Sequence, residues 1–321
     1  MMDRMRRLRN STQRVLAVLA AVLLATSLLG GCQRRNDGLK LTITTGSPKA
    51  VYDQLGATLA PAWAAGLDIP PPTVLTSAGS GQNLDRLLGG QADVGFSAAD
   101  EAALRAARPG GTHLRALARM HDDYVQVVVP ANSRVERLSD LRGLRVSVGA
   151  PDSGVQLIAD RLLARAGLPG TTDIHRQQLS VDQSADALAR GDTDAFFWSG
   201  GLPTEQITAL AHRMPIRLVD LSDILPAVRA KYQEYGSAVL PVSAYHLPRP
   251  VATLVVRNFL LVTDRMPAGV AEALTCVVFD AQPALAAANQ AARSIDVRSG
   301  IETVPIPLHP GALDYYRATS P

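Results

Sequence analysis

Leu39-Lys40-Leu41-Thr42-Ile43-Thr44-Thr45-Gly46-Ser47-Pro48 sets the pattern for the rest of the chain. Its first seven residues are rich in β-branched side chains and predict a strand. Gly46-Ser47-Pro48 breaks that strand, with Pro48 suited to a first helical turn and Ser47 placed as its N-cap. The Ala/Leu-rich segment that follows, to about Ala65, predicts a helix. Outward from this unit the alternation repeats. Strands are predicted at 73–77, 94–97 and 114–120, with a short helix through Leu88 and another over 98–107. A second series opens with a strand at 124–129. It continues with a strand at 144–149, helices over 153–167 and 184–190, a strand at 195–198, a helix over 203–212 and a strand at 216–221. Residues 222–250 carry four prolines and read as mostly irregular. Strand-like segments at 251–256 and 259–263 and helices over 267–278 and 283–294 close the chain. Strands spaced by helices imply parallel sheets covered on both faces.

The 321 residues are 47% hydrophobic, 19% charged and 4% aromatic, the mix of a folded chain with room for two core-bearing domains. Few aromatics argue against a stacking platform for single-stranded nucleic acid. Five of the 32 basic and one of the 29 acidic residues lie in 1–31, which leaves 27 against 28 in the remainder. The body therefore has no basic footprint, and no nucleic-acid partner is expected.

The N-terminus reads as an address. Residues 1–14 form a basic region, and Val15–Leu29 is an uncharged apolar run of secretory length. It meets Leu29-Gly30-Gly31-Cys32, which resembles the lipobox of bacterial lipoproteins, where the cysteine is diacylated. Residues 1–31 are then a signal peptide, Cys32 the lipidation site and 32–38 a polar linker. Two acyl chains give stable anchoring, so an extracytoplasmic protein anchored in the cell membrane is expected. Cys276 lies in an apolar stretch and reads as core packing.

Two halves with small polar turns after their strands suggest a shared cleft, since ligands of open α/β sheets sit beyond the strands' carboxyl ends. The turns are Gly46-Ser47, Gly79-Ser80-Gly81, Asp152-Ser153-Gly154 and Ser199-Gly200-Gly201, each leading into a predicted helix. Helix N-termini present free N–H groups and partial positive charge, which suits a carboxylate. Each turn by itself is equally an ordinary cap.

At these positions the chain resembles a known family. Thr45-Gly46-Ser47-Pro48 with Tyr52 and Gly56, then Gly79-Ser80 with Asn83 and Leu84, then Gly90-Gln91-Ala92-Asp93, are similar to motifs of the TAXI family of TRAP-transporter solute receptors. So are Leu138–Gly149 followed by Asp152-Ser153-Gly154, and Trp198-Ser199-Gly200-Gly201-Leu202-Pro203-Thr204. The resemblance covers essentially all of 39–318. It implies an α/β, two-lobed, periplasmic-binding-protein-like (type II) fold with a hinge and an interlobe cleft. Lobe 1 would comprise 39–123 with 243–321, lobe 2 residues 124–242, with hinge crossovers near 124–130 and 236–242. It also implies a small organic anion as ligand, of the glutamate or dicarboxylate class, and membrane permease subunits as partners.

The expected ligand-binding residues are Gly46, Ser47, Lys49, Tyr52, Ser80, Gly81, Asn83, Ser97, Ser153, Gly154, Trp198, Gly200 and Gly201. Lys49 departs from the family's small residues and either pairs with an anion or points to solvent. Tyr52 either reaches a ligand oxygen or packs in the core; Asn83 is equally a capping amide, and Trp198 a cleft wall or plain core. Asp100 either caps its helix or meets an amine. The six histidines show no H-x-x-x-H spacing, so neither a metal nor a cofactor is expected. A sensor that presents its ligand to a signalling partner has the same sequence signature. A serine hydrolase does not fit, because Ser80, Ser153 and Ser199 all lack a G-x-S-x-G elbow.

Overall fold

The structure, a computed structural model, describes residues 38–319 apart from Asp152 and Thr171. The predicted signal peptide, Cys32 and nearly all of the linker lie outside the described residues.

The opening unit forms a strand, β1 (Thr42–Thr44), and a helix, α1 (Val51–Leu67). The helix starts after Pro48 because Lys49 adopts a left-handed φ of 67°, where its N–H donates to Asp53 Oδ2 at 2.8 Å. Ala50 rather than Ser47 is then the N-cap. α1 buries Leu55, Leu59, Trp63 and Leu67, a stripe at four-residue spacing. Gly56 lies on the same face, where any side chain would collide with the Thr45 methyl.

β2 (Thr73–Leu75), α2 (Ser80–Leu88), β3 (Val94–Ala98) and α3 (Ala99–Ala106) follow. β4 (Leu114–Pro130) comes next and runs 17 residues without a break. Beyond it lie β5 (Arg145–Ser147), α4 (Gly154–Arg165), β6 (His175–Gln177), α5 (Val181–Arg190), β7 (Ala195–Gly200), α6 (Glu205–Arg213) and β8 (Ile216–Leu218). The segment expected to be irregular contains α7 (Leu225–Lys231), whose Pro226 sits in the first turn where its missing N–H costs nothing, and β9 (Tyr235–Leu240). β10 (Val251–Thr263) is a second long strand, followed by α8 (Ala268–Asp280), α9 (Gln282–Ala288), α10 (Val297–Gly300) and α11 (Pro310–Thr319).

The strands are ordered β2-β1-β3-β10-β4-β7-β5-β6, with β8 on β4 and β9 on β10. The outer strands β2-β1-β3 and β7-β5-β6 are parallel, but β10 pairs antiparallel with β3, β4 and β9, and β4 with β7 and β8. The expected all-parallel arrangement is thus corrected to a mixed one, because the two long strands run back through the middle.

β4 and β10 belong to both lobes. Asn258–Leu261 of β10 pairs with β3, whereas Val251–Val256 pairs with β9. Tyr124–Val128 of β4 pairs with β7. The chain therefore crosses at about 121–124 and 256–258, and the crossover expected near 236–242 is corrected: those residues fall in and just after β9, which among the described residues pairs with β10 alone. Each lobe's sheet is covered on both faces. Lobe 1 has a cluster around Trp63, Phe96 and Leu274 on one side and one around Leu84, Leu87 and Phe259 on the other. Lobe 2 has Ile158, Leu162 and Phe197 on one side, and Phe196, Ile207 and Leu210 on the other. Cys276 packs half-buried against the first of these clusters.

Candidate functional site

The alternation of a strand decides what faces the cleft. On β4, Val125, Val127 and Val129 point into one core of lobe 2, so His121 and Asp123 continue the same row. On β10, Leu254 and Val256 point into that core, and Asn258 continues theirs. Register sets these residues side by side. Val256 opposes both Asp123 and Tyr235, and Asn258 opposes both His121 and Ala98. At the crossing, an apolar surface thus gives way to polar groups over two adjacent rows.

Tyr52, one turn into α1, closes this floor from lobe 1. Its ring stacks on Phe96 at 5.1 Å and meets His121 edge-on at 5.8 Å. Its hydroxyl donates to Asn258 Oδ1, and the Ser80 hydroxyl lies within its reach. Burial, aided by the charge of Asp123, pushes the phenol well above its ordinary range. Burial raises the Asp123 carboxyl to about 7, opposed by a hydrogen bond from Asn258 and reinforced by Asp122 and Asp100. Burial holds His121 down at about 4. Its Nε2 lies 3.6 Å from Asp123 Oδ1, and its Nδ1 has no partner among the described residues.

Beside the floor, the lobes meet through Asp100 in the first turn of α3. Tyr235 of lobe 2 donates its hydroxyl to Asp100 Oδ2 at 2.9 Å. Arg161 of α4 donates to the same hydroxyl at 2.9 Å and to Glu234 at 2.8 Å, and its guanidinium lies 4.2 Å above the Tyr232 ring. Asp100 is fully buried and its carboxyl is raised by burial. Next to it, Glu101 lines a cavity of about 360 Å³ that is walled by Gly81, Glu101 and Arg105 from lobe 1 and by Ser153, Gln156 and Asp160 from lobe 2. That volume suits a small metabolite.

A model of the NMT1-like family matches residues 43–318. The chain belongs to the NMT1-like family. Its structure is similar to that of XAC2383 from Xanthomonas citri bound to chloride ion, with 16% identity, a TM-score of 0.54 and coverage of 87% of this chain and 95% of that one. It is also similar to a periplasmic transporter, with 15% identity, a TM-score of 0.51 and coverage of 80% and 88%. These likenesses establish the fold as an α/β, two-lobed, periplasmic-binding-protein-like one.

In this NMT1-like chain the predicted site residues separate into groups. Tyr52 and Ser80 reach the floor, and Gly81 and Ser153 line the interlobe cavity, with Gly154 opening α4 beside it. Ser47 and Lys49 are exposed, and Gly46 is buried against Tyr52. Asn83 is fully buried and its amide is engaged: it accepts from Thr44 and donates to the carbonyls of Thr45 and Phe96. It therefore fastens β1 to β3 rather than facing a ligand. Ser97 opposes Phe259 on the face of β3 turned away from Tyr52, and its hydroxyl donates to Ala98 O. Trp198 opposes Gln126 on the far face of β7, where its indole N–H donates to Thr204 at 3.0 Å. Gly200 lies under that indole, and Gly201 sits 3.6 Å, measured from an added Cβ, from Ala291 of lobe 1. For Ser97, Trp198 and Gly200 the reason is parity: one residue along a strand reverses the face. Ser199, opposite Val125, occupies the cleft side instead.

The polar floor residues His121, Asp123, Asn258, Arg161 and Tyr235 were absent from the sequence-based set. Their signal is the run His121-Asp122-Asp123 inside an otherwise apolar strand, which reads by itself as a gap between two strands. Among the described residues, Ser80 and Ser153 have no nucleophile–base pairing. Ser80 accepts from Ala98 N at 3.0 Å, and Ser153 donates to Ala150 O at 2.7 Å.

Proposed function

We propose that this NMT1-like chain is an extracytoplasmic solute receptor that closes about a small organic acid and delivers it to membrane permease subunits encoded elsewhere. One observation carries this proposal. Both lobes hang on β4 and β10, and at their crossing buried polar groups interrupt the apolar rows beside a cavity walled from both sides. That arrangement fits hinge closure over a guest. The motifs at 45–56, 79–93, 138–154 and 198–204 support the finer assignment to TAXI-type receptors of TRAP transporters, with glutamate or a related dicarboxylate as ligand. The first turns of α2 and α4, at Gly81 and Ser153-Gly154, would receive the carboxylates. The lipobox at Cys32 supports anchoring by two acyl chains.

Isothermal titration of the full chain in detergent against glutamate, 2-oxoglutarate and other small acids tests the proposal. The expected dissociation constant is of the order of micromolar, with a fall in radius of gyration in X-ray scattering as the lobes close. Absence of heat across a broad acid library, and an unchanged radius, would refute it. Anchoring predicts palmitate labelling that is lost in Cys32→Ala.

A further inference from the structure

We propose that the interlobe cavity takes an α,ω-dicarboxylate longer than glutamate, with its hydrocarbon middle on Leu84, Leu104 and Leu157 and its outer carboxylate on Arg108. This inference rests on the solute-receptor proposal and specifies the ligand within it. Two helix faces make the cavity. Glu101, Leu104, Arg105 and Arg108 line it from α3 and the residues just past its end, and Ser153, Gln156, Leu157 and Asp160 line it from α4 and its N-cap. Both sets follow the spacing i, i+3, i+4, i+7, which puts each on one side of its helix. Seven residues of helix rise about 10 Å, so the cavity is a slot running two turns along both helices rather than a pit at their N-termini.

α2 gives the slot its polarity. Ser80 accepts from Ala98 N at 3.0 Å, which sets Gly81 beside the first turn of α3, and Asp85 pairs with Arg105 further along both helices. From lobe 1 the slot therefore reads Gly81 and Glu101 at its inner end, Leu84 and Leu104 in the middle and Arg108 at the outer end. Most of its charges are spent within their own lobe. Arg105 is paired with Asp85, and Asp160 with Arg176. Burial, then the charge of Asp100, raise the Glu101 carboxyl, which favours the protonated form that donates a hydrogen bond to a bound acid. Arg108 is exposed and forms no ion pair among the described residues; its charge acts on Glu101, two turns away. Leu104 is 37% exposed, one of five large apolar side chains so exposed among the described residues, and it lines the slot together with the half-buried Leu157. An exposed leucine and an unpaired arginine call for different ligand atoms, and a diacid with a methylene chain supplies both. The cavity's volume of about 360 Å³ leaves room for a chain longer than that of glutamate.

A chain-length series tests this. The full chain in detergent is titrated with succinate, glutarate, adipate and suberate, and with hexanoate as the acid of adipate's length that lacks the outer carboxylate. Each methylene taken from water onto leucine is expected to tighten binding about fourfold, or about 0.8 kcal/mol, so suberate should bind at least tenfold tighter than glutarate. Adipate should bind at least tenfold tighter than hexanoate, and Arg108→Gln should erase that preference. Leu104→Gln should flatten the series from succinate to suberate. Both substitutions sit at exposed positions, and melting temperatures of the unliganded variants equal to the parent's separate lost recognition from lost folding. An affinity that does not rise with chain length, hexanoate binding as tightly as adipate, or an adipate preference kept in Arg108→Gln would overturn the long-diacid assignment and leave the receptor proposal standing. So would binding of glutamate but of none of the series, or a loss in Leu104→Gln equal for every acid, the sign that this leucine only packs between the lobes as they close. Binding of no acid in the series, with no heat from glutamate or the broader acid library, would overturn both.

Discussion

Asn83 shows how completely one side chain can be used. Its amide holds Thr44, the Thr45 carbonyl and the Phe96 carbonyl together inside lobe 1. Asn83→Ala would orphan buried acceptors and a hydroxyl, at about 3 kcal/mol, read as a lower midpoint in urea. A loss below about 1 kcal/mol would mean that water replaces the amide. His121 and Asp123 oppose each other in their pH dependence. The Asp123 carboxyl is raised to about 7, so the native state holds its proton more firmly than the unfolded chain does. Through this group, stability falls as pH rises from about 4 to about 7. His121 is lowered to about 4, so the unfolded chain binds its proton first, and stability is lost as pH falls from about 6.5 to about 4. The two nearly cancel in the parent over that window, each at the order of 3 kcal/mol. Relative to the parent, Asp123→Asn should lose stability more steeply on acidification from pH 6.5 to 4, and His121→Gln should lose less or gain. Parallel stability–pH curves for parent and both variants would contradict this.

At the scale of elements, α1 is held by the contact between Gly56 and Thr45, one turn beyond Tyr52. Gly56→Ala inserts a methyl where the Thr45 methyl lies, and should cost about 1–3 kcal/mol through overpacking despite alanine's better helix propensity. A melting temperature at or above the parent's would show that the helix shifts freely. α5 has a locally encoded start: Ser180 accepts from Gln183 N, the Gln183 side chain returns to Ser180 N, and Gly191 ends the helix in a left-handed conformation. Ser180→Ala should cost about 1 kcal/mol in chemical denaturation, without altering ligand affinity. Elements of this kind are legible in the sequence because their signals lie within a few residues. The long strands are not. Polar residues at 121–123 and at 258 look like breaks, yet the pairing of the two strands continues past them, with a register shift between Asn258 and Phe259, because the cleft gives their side chains polar company.

For the whole molecule, the bond from Tyr235 to Asp100 joins the lobes beside the floor, and a contact from Gln290 of lobe 1 to Pro203 O of lobe 2 at 3.5 Å lies on another side. Tyr235→Phe removes the first while keeping the ring in its core. The ligand-free protein should then open, with a larger radius of gyration in scattering and about tenfold weaker ligand binding, worth about 1.4 kcal/mol. An unchanged radius and affinity would show that the bond does not govern closure. The sequence by itself determined the alternation of strands and helices and the small polar turns at strand ends, because strand propensity, caps and turn residues act over a few neighbours; the two-lobed class came from its resemblance to known receptors. Only the tertiary structure decided which residues form the floor. Tyr235, Val256 and Asp123, or Ala98, Asn258 and His121, become neighbours through strand register, and a shift of one residue would turn each to the other face. No local propensity records that register; it is set when the apolar rows of β4 and β10 find their cores in both lobes at once.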